Sequence, residues 1–296
     1  MTLSEVAWRA LLYWLLLPAV GVPVSIAAAR MGHRGFVERL AGWFIIVPLA
    51  LGASFMGPWP FFALVAGCCA VACWELARLG HDAGPRAFAW RVAVALAVSV
   101  PWIVWAQIGA HYPAWAAVVA LFVPALVYGR RDGSTAPPWS VVPLALSLGT
   151  ALSFWILLER SPGGFRFVLF AFTVVVVNDI MGFTAGKLLP AGRLLPRVSP
   201  HKTLTGYLGG AVSAILISVA FAFAVPEFGI ADLLVAGVLL VGCGSLGDLA
   251  ASAIKRRHAV KDFGTALGSH GGILDRLDSL LGSGWAFYVF LRLTQL

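Results

Sequence analysis

Runs of about twenty apolar residues follow one another along almost the whole chain, and a run of that length has few folded options. As a helix it closes its own backbone hydrogen bonds and crosses the roughly 30 Å hydrocarbon core of a bilayer. Only 11% of the 296 residues are charged and the mean hydropathy is +0.90, whereas a soluble domain carries about 25% charged residues. The pattern predicts an all-α, polytopic integral membrane protein. Helices are expected near 10–29, 41–57, 59–77, 92–110, 113–129, 141–158, 165–188, 204–225, 232–254 and 283–296. The second and third are nearly continuous and the last is short, so the expectation is nine or ten transmembrane helices. Gly57-Pro58, Tyr112-Pro113, Pro137-Pro138, Pro162-Gly163-Gly164 and Pro226 punctuate them.

No stretch reads as a separate soluble domain. Residues 1–160 are expected to be N-terminal membrane helices and 161–296 a more polar C-terminal part of one continuous membrane domain. The first apolar run resembles a signal peptide in length, but Arg30 follows it without a small-residue cleavage site, so it is read as a retained helix. Cys68, Cys69, Cys73 and Cys243 lie in apolar runs without Cys-x-x-Cys spacing and read as buried free thiols.

The net charge of +8 matters less than where it falls. With the N-terminus outside, every Lys and Arg except Arg9, Arg160, Arg166 and Arg292 lands in an inner loop, as the positive-inside bias requires. The basic residues therefore argue for membrane orientation and anionic headgroups, not for nucleic acid. Trp59, Trp90, Trp139 and Trp285 sit at expected span ends, where indole rings anchor helices at the interface.

Three polar clusters interrupt the second half, all on the expected cytoplasmic side. Asn178-Asp179 lies inside a helix, where a carboxylate is expensive unless it is paired or lines a polar cavity; Gly182 and Gly186 after it have the spacing of a close helix contact. Ser199-Pro200-His201-Lys202-Thr203 precedes the next helix, and either Ser199 or Thr203 suits its N-cap. Lys202 beside those amides makes an anion site as plausible as an ordinary helix start. The third cluster runs from Asp248 to Asp278. Asp248, Ser252 and Lys255 share a helix face, Gly271-Gly272 offers a tight turn, and Asp275 and Asp278 fall one turn apart. Carboxylates for a hard cation with cations for residual phosphate charge fit a magnesium-nucleotide site, while casual ion pairs in a solvated loop fit too.

The run Ser252-x-x-Lys255-Arg256-x4-Lys261-Asp262-x-Gly264-x5-His270-Gly271-Gly272-x-x-Asp275-Arg276-x-Asp278 resembles the signature of the phosphatidate cytidylyltransferase (CDP-diacylglycerol synthase) family. Ser199-Pro200-x-Lys202-Thr203-x-x-Gly206 and the Asp179 region resemble two further blocks in the same order, so the likeness covers about residues 170–280. The chain departs from the family pattern at Thr205 and Ala251, where an acidic residue is usual, and around Asn178-Asp179.

The resemblance implies transfer of a cytidylyl group from CTP to phosphatidate, giving CDP-diacylglycerol and pyrophosphate, with Mg²⁺ and a possible second monovalent or divalent cation. It implies Asp248, Asp275 and Asp278 as metal ligands and catalytic residues together with Lys255 and Lys261. Asp179, Ser199, Lys202, Thr203, Ser252, Arg256, His270, Gly271, Gly272 and Arg276 would contact substrate, the Gly271-Gly272 amides shaping a triphosphate turn. It further implies a cavity open to the cytoplasm and to membrane lipids, a bacterial inner membrane and a homodimer. Competing readings are transfer to another lipid phosphate, CTP-dependent lipid kinase activity, and an impaired relative that binds or transports anionic lipid.

Overall fold

The structure is a computed structural model, and it describes residues 4–12, 34–79, 84–109, 141–189, 191–195, 199–267 and 271–295. Its helices are α1 (Arg34–Phe55), α2 (Pro58–Arg78), α3 (Pro85–Gln107), α4 (Val141–Arg160), α5 (Gly164–Leu188), α6 (Leu204–Ala220), α7 (Ile230–Arg257) and α8 (Leu274–Thr294), and residues 4–12 are helical as well. Among the described residues, six helical stretches are long and apolar enough to cross a membrane: α2 to α5, α7, and α6 with the 3₁₀ turn Phe221–Ala224. The chain is an all-α integral membrane protein in its architecture. Most of the expected helix 10–29 and all of 113–129 lie outside the described residues.

Local chemistry sets the boundaries. Gly57, at φ +113, adopts a conformation that side chains avoid, and Pro58 then starts α2 as the first helical residue, which separates α1 from α2. Pro85 opens α3 in the same way, seven residues earlier than the apolar run alone indicates. The clearest correction is α8. It begins at Leu274 instead of 283, so Asp275 and Asp278 are in its first two turns and Trp285 is mid-helix. A helix on a polar cavity is polar on that face, and this hid its first turns from hydropathy. A second correction is a short antiparallel hairpin between α5 and α6, β1 (Arg193–Leu195) with β2 (Ser199–Thr203), where only a loop was expected.

Helices α4 and α5 form the core, walled by α3, α8 and α6. Ser99 donates its hydroxyl to the Ala145 carbonyl at 2.7 Å, and Gly149 lies directly against the Ser99 backbone, which draws α3 onto α4. Trp155 on α4 donates its indole N–H to the Leu280 carbonyl at 2.9 Å, fixing α8. Aromatic rings fill the space between α5, α8 and the α6–α7 link: Phe170 stacks on Phe287 with centroids 5.5 Å apart, and Phe228 meets Phe290 edge-on at 5.8 Å. The four cysteines are free, as expected, and Cys73 lies 3.6 Å from the Ser99 hydroxyl.

Two crossings bring backbones almost into contact. In α5–α6, a Cβ at Gly206 would lie 2.7 Å from the Gly182 carbonyl oxygen, so the glycine spacing does mark close packing. In α7–α8, a Cβ on Gly247 would strike the Asp278 carbonyl and one on Gly282 would strike the Cys243 carbonyl. Gly282→Val should therefore force α7 and α8 apart and destabilise the protein by about 1–3 kcal/mol or more, seen as a lower thermal midpoint of the purified chain. Unchanged stability would contradict the crossing.

At one end of the bundle the α4–α5 and α6–α7 links meet, where Arg166 holds Glu227 with both guanidinium nitrogens at 2.8 and 3.2 Å. At the other end lie the ends of α2, α5 and α7, the hairpin and the start of α8. The polar clusters are all there.

Candidate functional site

The site is assembled from the last turns of α5 and α7, the hairpin, and the first turns of α8. Thr203 ends β2 with extended backbone and caps α6, its hydroxyl oxygen accepting the Gly206 amide at 3.1 Å. That decides between the two cap candidates, and it engages the Thr203 hydroxyl in structure. Ser199 is at the other end of β2, in register with Leu195. From this strand Lys202 extends its ammonium to the Asp248 carboxylate on α7, and the Ser252 hydroxyl, one turn later, donates to the same carboxylate at 3.4 Å. The shared face of Asp248 and Ser252 is thus realised as a contact.

After Lys255-Arg256-Arg257 the chain leaves α7 through Ala259, at φ +54, and the Val260 amide returns to the Lys255 carbonyl at 3.0 Å. The loop brings the Phe263 ring to 5.1 Å from Lys255 Nζ, a cation–π contact. Lys255 is 9% exposed, and its ammonium lies 2.8 Å from Asp275 Oδ1 and 3.9 Å from Asp278 Oδ2. The other Asp275 oxygen accepts the amides of Phe263 at 2.8 Å and Gly272 at 2.9 Å. Asp275 therefore ties the loop to the helix, with the Gly272 amide directed at this carboxylate. Gly271, at φ +81, makes the turn that permits it.

Asp179 on α5 accepts the Ser279 hydroxyl at 2.6 Å and the Asn178 side-chain amide at 3.3 Å. Asp179, Asp248 and Asp278 lie within electrostatic reach of one another, and Asp278 also feels Lys255. Three helices thus contribute one carboxylate each to a common polar centre. Four carboxylates (Asp179, Asp248, Asp275, Asp278) against two ammonium groups (Lys202, Lys255) leave two negative charges when all are ionised. Protons or one divalent cation would neutralise that surplus.

No group of three or more His, Cys, Asp or Glu among the described residues is disposed to hold a metal ion by itself. The donor set still suits Mg²⁺, which takes one or two carboxylates and completes its octahedron with water and phosphate oxygens. Among the described residues Asp278 accepts one donor, Asp179 and Asp248 two each and Asp275 three, and a cation at Asp275 would share an oxygen with Lys255.

The other expected residues lie on neighbouring segments. Arg256 is exposed on the α7 terminus, 3.4 Å from the Val260 carbonyl, and Lys261 is exposed on the loop. Arg276 is half-buried on α8. His270 falls outside the described residues. Thr205, at a usually acidic position, accepts the Ala191 amide at 3.3 Å and donates to the Leu189 carbonyl, clasping the α5 end to the start of α6. Ala251 is buried in α7.

Two contributors escaped sequence reasoning. Ser279 left no signal beyond its place next to Asp278. Glu75 on α2, 2% exposed, accepts the amides of Ile273 and Leu274 at 2.9 Å each. Its one signal is that it is the sole acidic residue in the apolar run Pro58–Arg78.

The chain is similar in sequence to known proteins. A phosphatidate cytidylyltransferase of Brucella abortus is 37% identical over 152 residues, 51% of this chain and 56% of that protein. One from Staphylococcus saprophyticus is 39% identical over 132 residues, 44% of this chain and 50% of that protein. The uncharacterized protein YnbB of Escherichia coli is 36% identical over 157 residues, 52% and 51% of the two chains. The chain thus spans about half the length of the curated relatives it matches. The model of the cytidylyltransferase family matches residues 37–294, which takes in α2 with Glu75, the hairpin and every carboxylate of the polar centre; the chain belongs to the cytidylyltransferase family.

Proposed function

We propose that this protein transfers the cytidylyl group of CTP to a lipid phosphate, with phosphatidate as acceptor, forming CDP-diacylglycerol and pyrophosphate. The observation that carries the proposal is the convergence of Asp179, Asp248, Asp275 and Asp278 with Lys202 and Lys255 at one end of an apolar helix bundle. A site at that depth meets both a water-soluble nucleotide and a lipid headgroup. The relatives named phosphatidate cytidylyltransferase favour this acceptor.

The chemistry asks for little acid–base work. A phosphate monoester has a second pKa of about 6 and is a ready nucleophile near neutrality. One of its oxygens forms a bond to the α-phosphorus of CTP, the bond from that phosphorus to the bridging oxygen breaks, and pyrophosphate leaves with the electron pair. The protein has to align two polyanions and disperse their charge. Lys202 and Lys255, each now on a carboxylate, are within a side-chain rearrangement of phosphate oxygens. Arg256, Lys261 and Arg276 flank the centre as further phosphate contacts, and Asp179 holds Ser279 and the polar lining in place. Mg²⁺ held by Asp248, Asp275 and Asp278 would supply charge neutralisation for the departing pyrophosphate.

The orientation proposed is site end cytoplasmic, in a bacterial inner membrane, with the cavity open to the leaflet. In support, Arg78, Arg86, Lys187, Arg193 and the basic residues from Lys202 to Arg276 belong to that end, while Arg160, Arg166 and Arg292 belong to the other.

The test is the purified chain in lipid nanodiscs with CTP, Mg²⁺ and phosphatidate, followed for both products. Equal amounts of pyrophosphate and CDP-diacylglycerol are expected. With diacylglycerol as acceptor, CDP and a phosphorylated lipid would identify a kinase instead. Product with a prenyl phosphate but not with phosphatidate would move the acceptor class. Lipid binding with CTP left intact would overturn the transferase reading.

A further inference from the structure

We infer that Glu75, from the N-terminal half of the chain, is a positioning residue for the cytidylyl transfer proposed above: its carboxylate caps α8 and so sets where Asp275 and Asp278 stand. The inference rests on that functional reading only for its kinetic consequence.

Glu75 is at the last turn of α2, 198 residues before the amides it accepts, and both its oxygens are used, Oε1 by Ile273 and Oε2 by Leu274. These amides open α8, whose own N-cap residue Ile273 has no side chain able to accept them. A carboxylate there also meets the positive end of the helix dipole. The loop is shaped around it. A Cβ on Gly272 would come within 2.5 Å of both Glu75 oxygens, and one on Gly264 within 2.6 Å of Oε1. Immediately alongside, Asp275 accepts the Phe263 and Gly272 amides. Two carboxylates from opposite ends of the sequence therefore grip four amides of one loop, and the second of them belongs to the proposed site.

A carboxylate buried to 2% exposure is far from its preferred solvent, so the amide bonds have to compensate for its burial. Its removal leaves two amides without acceptors and frees the first turn of α8 to shift. A displacement near 1 Å at reacting groups lowers turnover on the order of 10²-fold. Because the hydrogen bonds that Glu75 accepts among the described residues come from backbone amides, substrate affinity has less reason to change.

The experiment compares the full chain with Glu75→Ala, Glu75→Asp and Glu75→Gln in nanodiscs, counting only monodisperse folded protein. Amide hydrogen exchange over residues 261–276 is read alongside kcat and KM for CTP and phosphatidate. Glu75→Ala should speed exchange in that segment roughly tenfold or more, leave exchange in α4 and α5 unchanged, and lower kcat by about 10- to 100-fold with KM for phosphatidate within about twofold. Glu75→Gln keeps one acceptor oxygen and should restore part of both, whereas the shorter Glu75→Asp should restore less. Unchanged exchange in Glu75→Ala would overturn the clamp, and faster exchange with unaltered kcat would overturn its positioning role. A wild-type chain that releases no pyrophosphate with any lipid phosphate would defeat the functional reading alone, since the exchange data still decide the clamp.

Discussion

Asp278→Asn is expected to lower pyrophosphate release from CTP by about 10²- to 10³-fold while leaving the protein folded. Among the described residues Asp278 accepts the neighbouring Ser279 amide at 2.9 Å and lies 3.9 Å from Lys255, so little of the fold depends on it. It is nonetheless near Asp179 and Asp248, and a carboxylate there would help hold a divalent cation in the proposed site. Asparagine keeps the size and the amide contact and removes the charge. The change should even relieve repulsion among the carboxylates, so an unchanged or slightly raised thermal midpoint is expected together with the lost turnover. Asp275→Asn should differ. Asp275 holds Lys255 and two loop amides, and an asparagine would lose the charge that gathers them, so stability and activity should fall together. Near-normal turnover of Asp278→Asn per folded molecule would take that residue out of the reaction.

Lys255→Met is expected to have the largest effect on stability. Methionine approximates the lysine stem and can still pack on Phe263, but the ammonium that faces Asp275 and Asp278 is gone. Removing one partner from a buried ion pair costs about 3–5 kcal/mol, because the remaining charge is left uncompensated. The side chains are 11%, 7% and 14% exposed, little enough for that magnitude to apply. A fall in thermal midpoint and loss of product formation are both expected. Lys202→Met should be milder in stability, since Lys202 and Asp248 are each about 30% exposed and water shares their charge. Equal destabilisation by the two substitutions would show that burial does not set the difference.

The membrane helices were legible because a bilayer imposes length and apolarity directly on the chain, and α4, α5 and α7 lie close to where hydropathy puts them. The start of α8 was not, because a helix that contributes carboxylates to a cavity is polar where it enters the site. The hairpin was hidden for a similar reason: five residues of β2 that include Pro200 carry no periodicity long enough to read. Helical spacing accounts for the Asp248–Ser252 contact and for Asp275 and Asp278 standing one turn apart on a helix. Spacing could not say that Asp275 would turn one oxygen toward Phe263 and Gly272, since that depends on how a sixteen-residue link between α7 and α8 folds back. Glu75 shows the limit most clearly. Its partners are backbone amides almost two hundred residues away, and backbone amides have no signature in sequence.

The glycine-lined crossing of α7 and α8 would bear on ion choice at the proposed site. Gly247 lies against the Asp278 carbonyl and Gly282 against that of Cys243, so the gap between the helix carrying Asp248 and the helix carrying Asp278 is set by main-chain van der Waals radii. Rotamer changes alone cannot widen such a gap. Discrimination between a small, rigidly octahedral cation and a larger, more tolerant one depends on the stiffness of the surrounding cage. In the proposed site that stiffness would come from two glycines that bear no ligand of their own, and enlarging either would act on ionic radius before it acted on charge.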